Sequence, residues 1–368
     1  MRTVRRLLYT DVLSAVFFVA AAFLSLFFFI DIVDALENVG DHGYTVYHAL
    51  LYCLLELPGH IYELLPIAIL IGAIYAMARL AQSSEYTILR TGGLSPGRAL
   101  SLLASLGLCF GIFTFVVGDF IAPAAEREAT LLQARFKGGL SLERTGAWLK
   151  DSRHMSDGEH NFSINVGRAT ADGEFHDIRI FEFGPDGRLI QRIAAQSGRV
   201  GGAGSWQLQN VDVTHWKLDE AQPAPRGEAL AQMDWPTGLT MRVVSAAVLP
   251  LNTMTTVSLF SYMSHLSTQE QAAQRYEIQF WKKALYPFAC LVMMSLALPF
   301  AYLHSRSGGL SFKVFGGIML GISFVLLNNI SNHLGLLQNW TPWIAAAAPS
   351  AIYLLLSLAA FSWLVRYR

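Results

Sequence analysis

No Lys or Arg occurs between Leu7 and Ala78. An ordinary soluble domain is about 25% charged and distributes those charges over its surface. A run this long without a cation, and dense in Leu, Ile, Phe and Ala, has to be placed largely in hydrocarbon. The whole chain is 53% hydrophobic and only 15% charged. The charge it has is unevenly placed, because residues 125–275 carry more than half of all Lys and Arg. Apolar ends and a water-exposed centre follow. The formal net charge of zero excludes a bulk polyanion such as nucleic acid as partner.

Crossing roughly 30 Å of hydrocarbon takes about 20 apolar residues in a helix. Six segments meet that length: 12–33, 60–81, 98–121, 280–303, 311–331 and 343–365. The fold class expected is a polytopic α-helical membrane protein, three plus three helices, with an inserted all-β, jelly-roll-like domain. The expected boundaries are 1–124 for helices one to three, 125–267 for the β domain and 268–368 for helices four to six. The first segment follows a basic start, Arg2, Arg5 and Arg6. Its apolar core exceeds that of a cleaved signal peptide, so it reads as a retained helix. Pro58, Gly59 and Pro66 interrupt the second, and the apolar residues Ala49 to Leu57 before it predict a bent or re-entrant approach.

Basic residues near helix ends mark the cytoplasmic side. Arg2, Arg5 and Arg6, then Arg79, Arg90 and Arg98, then Arg306 and Lys313, and finally Arg366 and Arg368 all fall on one side. Asp31, Asp34, Glu37 and Asp41 fall on the other. Both termini are therefore expected in the cytoplasm and the central domain in the periplasm of a bacterial inner membrane. Lys282 and Lys283 depart from the pattern, and a long translocated domain upstream weakens the rule there.

The centre alternates with period two: Phe162 to Val166, Ile178 to Phe183 and Trp206 to Val213. Such alternation marks half-buried strands. Pro185-Asp186-Gly187 and Gly201-Gly202-Ala203-Gly204 are turn signals between them. No helical period separates the strands, which argues for a sandwich or jelly roll and against βαβ units. From Ser258 to Arg275 the period turns helical, and Ser267-Thr268-Gln269-Glu270 can cap a helix leading into the fourth span.

Enzyme signatures are missing from the residues. No Gly-Lys dipeptide occurs, so there is no phosphate-binding P-loop. There is no His-Glu-x-x-His, and His154, His160, His176 and His215 lack ligand spacing. Cys53, Cys109 and Cys290 all lie in apolar segments, where cysteine serves as a small buried hydrophobe.

The most informative motif is Leu80 to Pro96, between the second and third helices. Ser83 or Ser84 can cap a short helix, Gly92-Gly93 can end it, and Ser95-Pro96 can start the next. A short surface helix bearing Glu85 and Arg90 results, expected near 83–95. An ordinary polar connection has the same composition. A helix that docks into a cytoplasmic ATPase, with one carboxylate offered to an Arg of that partner, is the functional alternative.

Several motifs together carry a resemblance. They are Ile32 to Gly40, Leu65-Pro66, the Ser-Glu…Gly-Gly-Leu-Ser loop, Arg275-Tyr276-Glu277, Trp281-Lys282-Lys283, Tyr286-Pro287, Gly316-Gly317-Ile318 and Ala348-Pro349-Ser350. In this order, and over essentially the whole chain, the sequence resembles the permease subunits of the lipopolysaccharide-export ABC transporter, the LptF/LptG family, and is nearer the LptG type. The resemblance implies a non-catalytic subunit paired with an LptF-type paralogue. It implies an LptB-type ATPase dimer that holds the ATP and Mg, an LptC-type single-helix subunit beside helix one, and a periplasmic LptA-type bridge. Lipopolysaccharide would be the cargo, taken from the outer leaflet. Glu85 matches the ATPase-coupling carboxylate, with Tyr86, Leu89 and Arg90 on the same helix.

Acyl tails need a wide apolar cavity, and Phe27, Ile30, Leu64, Ile67, Phe324 and Leu327 are candidates to line it. Asp31, a costly carboxylate within a span, is a further candidate. Where relatives carry basic side chains near Asp31 and Asn38, this chain does not. Headgroup phosphates would then be met by Arg127, Arg135, Lys137, Lys282 and Lys283, or by the partner subunit or divalent ions. Two other classes remain: a mechanotransmission-type permease with no substrate path through its helices, and a membrane-anchored periplasmic assembly protein without an ATPase.

Overall fold

Apolar runs broken only by glycine, proline and short charged turns give six helices long enough to cross a bilayer among the described residues of the computed structural model. The structure describes residues 2–136, 140–141, 146–156, 158–170, 174–201, 204–216, 226–239, 244, 250–268, 273–302 and 309–367. The helices are α1 (Arg2–Leu36), α2 (Val46–Gln82), α3 (Glu85–Thr91), α4 (Pro96–Val116), α5 (Ala122–Phe136), α6 (Thr256–Thr268), α7 (Gln274–Leu296), α8 (Leu310–Leu337) and α9 (Pro342–Tyr367). The chain divides into two compact units: 1–34, 53–125 and 274–368 form one, and 35–52 with 126–273 the other.

Two helices run further than their sequence pattern suggests. The approach expected to be bent or re-entrant before the second span is part of α2, one helix of 37 residues with Pro58 and Pro66 inside it. Each proline removes one backbone hydrogen bond, and in a helix packed on both sides that loss is tolerated. The third span also continues. A π-helical turn at Val117–Ile121 joins α4 to α5, so helix extends to Phe136, beyond the span expected over 98–121.

Small residues set the packing of the membrane unit, because lipid gives helices no hydrophobic drive to associate and close backbone approach replaces it. Gly107 and Gly111, one turn apart on α4, receive α7. A Cβ at Gly107 would stand 3.1 Å from Leu291 Cα, and one at Gly111 2.9 Å from the Pro287 carbonyl oxygen. Thr114 Oγ1 lies 3.1 Å from Cys290 Sγ beside them. Gly317 and Gly321 on α8 do the same for α2, taking Ile74 and Ile67 into the gaps left by their missing side chains. Phe324 is buried edge-on against Tyr353 of α9, with centroids 5.2 Å apart.

The β unit is one antiparallel meander. Its strands are β1 (Leu140–Ser141), β2 (Ala147–Met155), β3 (Gly158–Ala169), β4 (Glu174–Phe183), β5 (Leu189–Val200), β6 (Ser205–His215) and β7 (Arg226–Pro236). β3 to β7 pair in sequence order, while β1 and β2 share the other edge of β3. Alternate residues point inward, among them Ile164, Ile180, Ile193 and Val213. The sheet folds over on itself: Phe162 of β3 meets Trp235 of β7 edge-on at 5.6 Å, although three strands separate them in the sheet. Buried Asp151 of β2 then ties the two ends. It accepts hydrogen bonds from Thr237 Oγ1 at 2.7 Å and from the Gly238 N–H at 3.2 Å, just past β7. This closure encloses an apolar interior as a jelly roll does.

Candidate functional site

α3 is short, and its two faces differ. Tyr86 is buried, with its ring edge-on to Tyr302 at 5.1 Å, and Leu89 and Leu94 pack against the same core. Burial pushes the Tyr86 hydroxyl pKa well above its ordinary value. Glu85, Ile88 and Arg90 face outward, and the Arg90 guanidinium lies over the Tyr302 ring at 5.4 Å. The helix is therefore fixed to the membrane unit by its aromatic side and presents its charged side. The expected serine cap is not formed. Ser84 stands at φ 60° and makes no side-chain cap hydrogen bond, while Ser83 Oγ donates back to the Leu80 carbonyl. The far end follows expectation: the Gly92 N–H donates to Ile88 O at 2.9 Å, and Ser95 caps α4 ahead of Pro96.

A second feature lies between α1 and α2. The two helices touch at three levels. Asp11 pairs with Arg79 at 2.9 Å, the Val16 backbone lies against Gly72, and Asp31 Oδ2 lies 2.7 Å from His60 Nε2. The ring of Phe27 covers His60 at 5.1 Å. Between the last two contacts the helices part, and α4 floors the opening. The cavity so formed measures about 680 Å³ and is lined by side chains such as Phe17, Leu24, Leu64, Leu65 and Phe110. Cys109, expected to be buried, is exposed and lines it.

The expected lipid-facing residues do not share one surface. Leu64 lines this cavity. Phe27 stacks on His60, and Ile30 is 45% exposed on the outside of α1. Ile67 fits against Gly321, Phe324 is buried on Tyr353, and Leu327 packs at the edge of the same core. Asp31 is paired with His60. Among the cations, Arg127 and Arg135 are exposed on α5 and Lys282 is half-buried on α7. Lys283 is 7% exposed, and its ammonium donates to the Gly118 carbonyl at 3.4 Å, on the π-helical turn. Lys137 lies outside the described residues.

The sequence pattern does not single out His60. The signal it offers is a polar ring in an apolar helix, about as far from the end of its span as Asp31 is from the end of its own. Lys283 carries a similar signal, since a lysine within a span needs a carbonyl or carboxylate partner. Gly118, whose position leaves room for the Tyr62 ring, is the residue that brings that carbonyl within reach.

Residues 6–364 match the family described as lipopolysaccharide export system permease LptF/LptG. The chain is 28% identical over 361 residues to the lipopolysaccharide export system permease protein LptG of Escherichia coli (strain K12), covering 97% of this chain and 96% of that protein. It is 27% identical over 359 residues to the LptG of Haemophilus influenzae (strain ATCC 51907 / DSM 11121 / KW20 / Rd), covering 97% of each. With six apolar helices, an antiparallel β unit inserted in sequence between the third and fourth of them, and a match over nearly its full length, the chain belongs to the LptF/LptG family of lipopolysaccharide export system permeases.

Proposed function

We propose that this chain is the G-type permease subunit of an ATP-driven exporter that lifts lipopolysaccharide from the outer leaflet of the inner membrane. ATP is hydrolysed on a separate dimeric subunit, so this chain transmits force and shapes the path. The observation that carries this is α3: a short helix anchored by buried Tyr86, with Glu85, Ile88 and Arg90 facing outward. A charged face held by an apolar root suits docking to an ATPase, where Glu85 would accept from an Arg. In this arrangement both termini and α3 are cytoplasmic, in line with the placement of Lys and Arg, and the β unit is periplasmic. An F-type paralogue completes the cavity, and an LptC-type helix stands beside α1. The apolar interior of the β unit would take the acyl tails, and the outer edge of β7 has no strand partner among the described residues, which suits edge-to-edge joining to a bridge protein.

The test is isolation of the complex from native membranes, with mass spectrometry of both protein and lipid. Co-isolation of an ATPase, a paralogous permease and lipopolysaccharide supports the assignment. Isolation of the chain alone, with no ATPase, would return it to the class of membrane-anchored assembly proteins.

A further inference from the structure

α3 rests on a ring that belongs to neither of the helices flanking it in sequence. Tyr302 ends the 3₁₀ turn Leu298–Tyr302 that follows α7, and it is 6% exposed. Tyr86, in the first turn of α3, meets that ring edge-on with centroids 5.1 Å apart. Arg90, one turn further on, holds its guanidinium 5.4 Å from the centroid of the same ring. Two residues at helical neighbour spacing on α3 thus share a single anchor. Leu298 and Ala301 are buried beside Tyr302 in the same core, so the anchor itself is fixed.

From this anchor, α7 is packed against α4 turn after turn. A Cβ at Gly107 would stand 3.1 Å from both Leu291 Cα and Met294 Cβ. One at Gly111 would meet the Pro287 carbonyl oxygen at 2.9 Å. Thr114 Oγ1 lies 3.1 Å from Cys290 Sγ, and the Lys283 ammonium donates to the Gly118 carbonyl at 3.4 Å. Positions 107, 111, 114 and 118 form one stripe at helical spacing. Contact this close along the whole stripe leaves the two helices no room to slide, since close-packed interiors transmit strain rather than absorb it.

We propose that Tyr302 is a positioning residue: it passes a displacement of α3 to α7, and α4 and α7 carry it as one rigid body to the π-helical turn at Val117–Ile121. A tyrosine has two side-chain torsions, so its ring has little freedom to absorb a push. The turn at the far end is where the helix geometry changes, and such turns are common at functional sites. It joins α4 to α5, which leads in sequence to β1. The inference rests on the proposed export function and adds which span takes up the motion of α3.

The test uses the full complex in liposomes loaded with lipopolysaccharide, with ATP hydrolysis and lipid release measured in the same samples. Tyr302→Leu keeps an apolar side chain but removes the ring, so release per ATP hydrolysed should fall about ten-fold while the ATPase still co-isolates and turns over. Tyr302→Phe keeps the ring and should hold that ratio within about two-fold of the unmodified complex. An unchanged ratio in Tyr302→Leu, or an equal loss in Tyr302→Phe, overturns the role of the ring. The rigid body is read separately, with Tyr302 left in place, and stays readable if Tyr302→Leu fails to assemble. Thr114→Cys, in a Cys109→Ser background, places a second thiol beside Cys290. Oxygen with copper phenanthroline takes up the two electrons and two protons as the S–S bond forms between them. The cross-linked complex should release lipid within about two-fold of its reduced form. Failure to cross-link, or release lost on cross-linking and regained on reduction, overturns the rigid body. An unmodified complex with no ATP-dependent release overturns the export function, and the inference with it.

Discussion

Asp31 Oδ2 of α1 lies 2.7 Å from His60 Nε2 of α2, under the ring of Phe27. The contact lies beyond the apolar cavity, whose lining runs from Leu13 to Ser25 on α1 and from Ile61 to Leu65 on α2, and Val16, which approaches Gly72, is part of that lining. A carboxylate within a span is expensive unless a donor meets it. Asp31→Asn and His60→Ala should each lower the unfolding midpoint of the purified chain. The pair should show a coupling energy of about 1 kcal/mol in a double-mutant cycle, typical of polar contacts between membrane helices. A coupling indistinguishable from zero would mean that the pair does not hold the helices together.

The glycine contacts predict an asymmetry between two positions. A Cβ at Gly111 would stand 2.9 Å from the Pro287 carbonyl, a backbone atom that cannot swing aside. Gly111→Val should cost about 1–3 kcal/mol, the range for overpacking. A Cβ at Gly316 would meet nothing within 4 Å, so Gly316→Ala should be neutral or slightly stabilising, since alanine favours helix. Thermal unfolding of the two variants, side by side, is the check.

Tyr86 should give the chain a sensitivity to alkali. Burial raises its pKa above the ordinary value of 10.0. A raised folded-state pKa contributes stability that is present below the unfolded value and lost as pH rises past it. Unfolding midpoints followed from neutral pH to above about 10 should therefore fall less steeply in Tyr86→Phe than in the unmodified chain. Parallel curves would show that the hydroxyl makes no such contribution.

The β unit should depend on Asp151 more than on any exposed charge. Asp151 is 7% exposed and accepts from Thr237 Oγ1 and from the Gly238 N–H across the closure. Asp151→Ala leaves the buried Thr237 hydroxyl without this acceptor, while the Gly238 N–H, at an exposed residue, can turn to water, at a cost of about 1–3 kcal/mol. By contrast Arg168→Ala breaks an exposed pair with Asp177 at 3.1 Å and should change stability by less than about 1 kcal/mol. Limited proteolysis of membranes bearing each variant separates the two outcomes. Equal resistance would refute the closing role of Asp151.

Local signals in the sequence are enough to read the six spans and three of the strands, β3, β4 and β6. Period-two alternation in Phe162 to Val166 and in Trp206 to Val213 marks strands that the structure contains, and apolar length marks the six spans. Long-range contacts are a different matter. Nothing near Phe162 in sequence announces Trp235, nor does anything near Asp31 announce His60, because each pair depends on how elements far apart are brought together. The helix to Phe136 was hidden by composition: Glu126, Arg127, Glu128 and Arg135 make α5 polar, and its period does not stand apart from the start of the β segment. The two glycine pairs carry a readable spacing of four, but their partners, Pro287 and Ile67 among them, become evident only from the packing.

The proposed coupling of α3 to an ATPase that drives lipid release is checked by reconstituting the complex in liposomes loaded with lipopolysaccharide and measuring ATP-dependent release with unmodified chain and with Glu85→Arg. Glu85 is exposed on α3, away from the Tyr86 anchor, so the substitution should leave the chain folded. Loss of a charge-assisted contact, with a like charge put in its place, should reduce release about ten-fold or more and weaken co-purification of the ATPase. Unchanged release with unchanged ATPase association would contradict the claim.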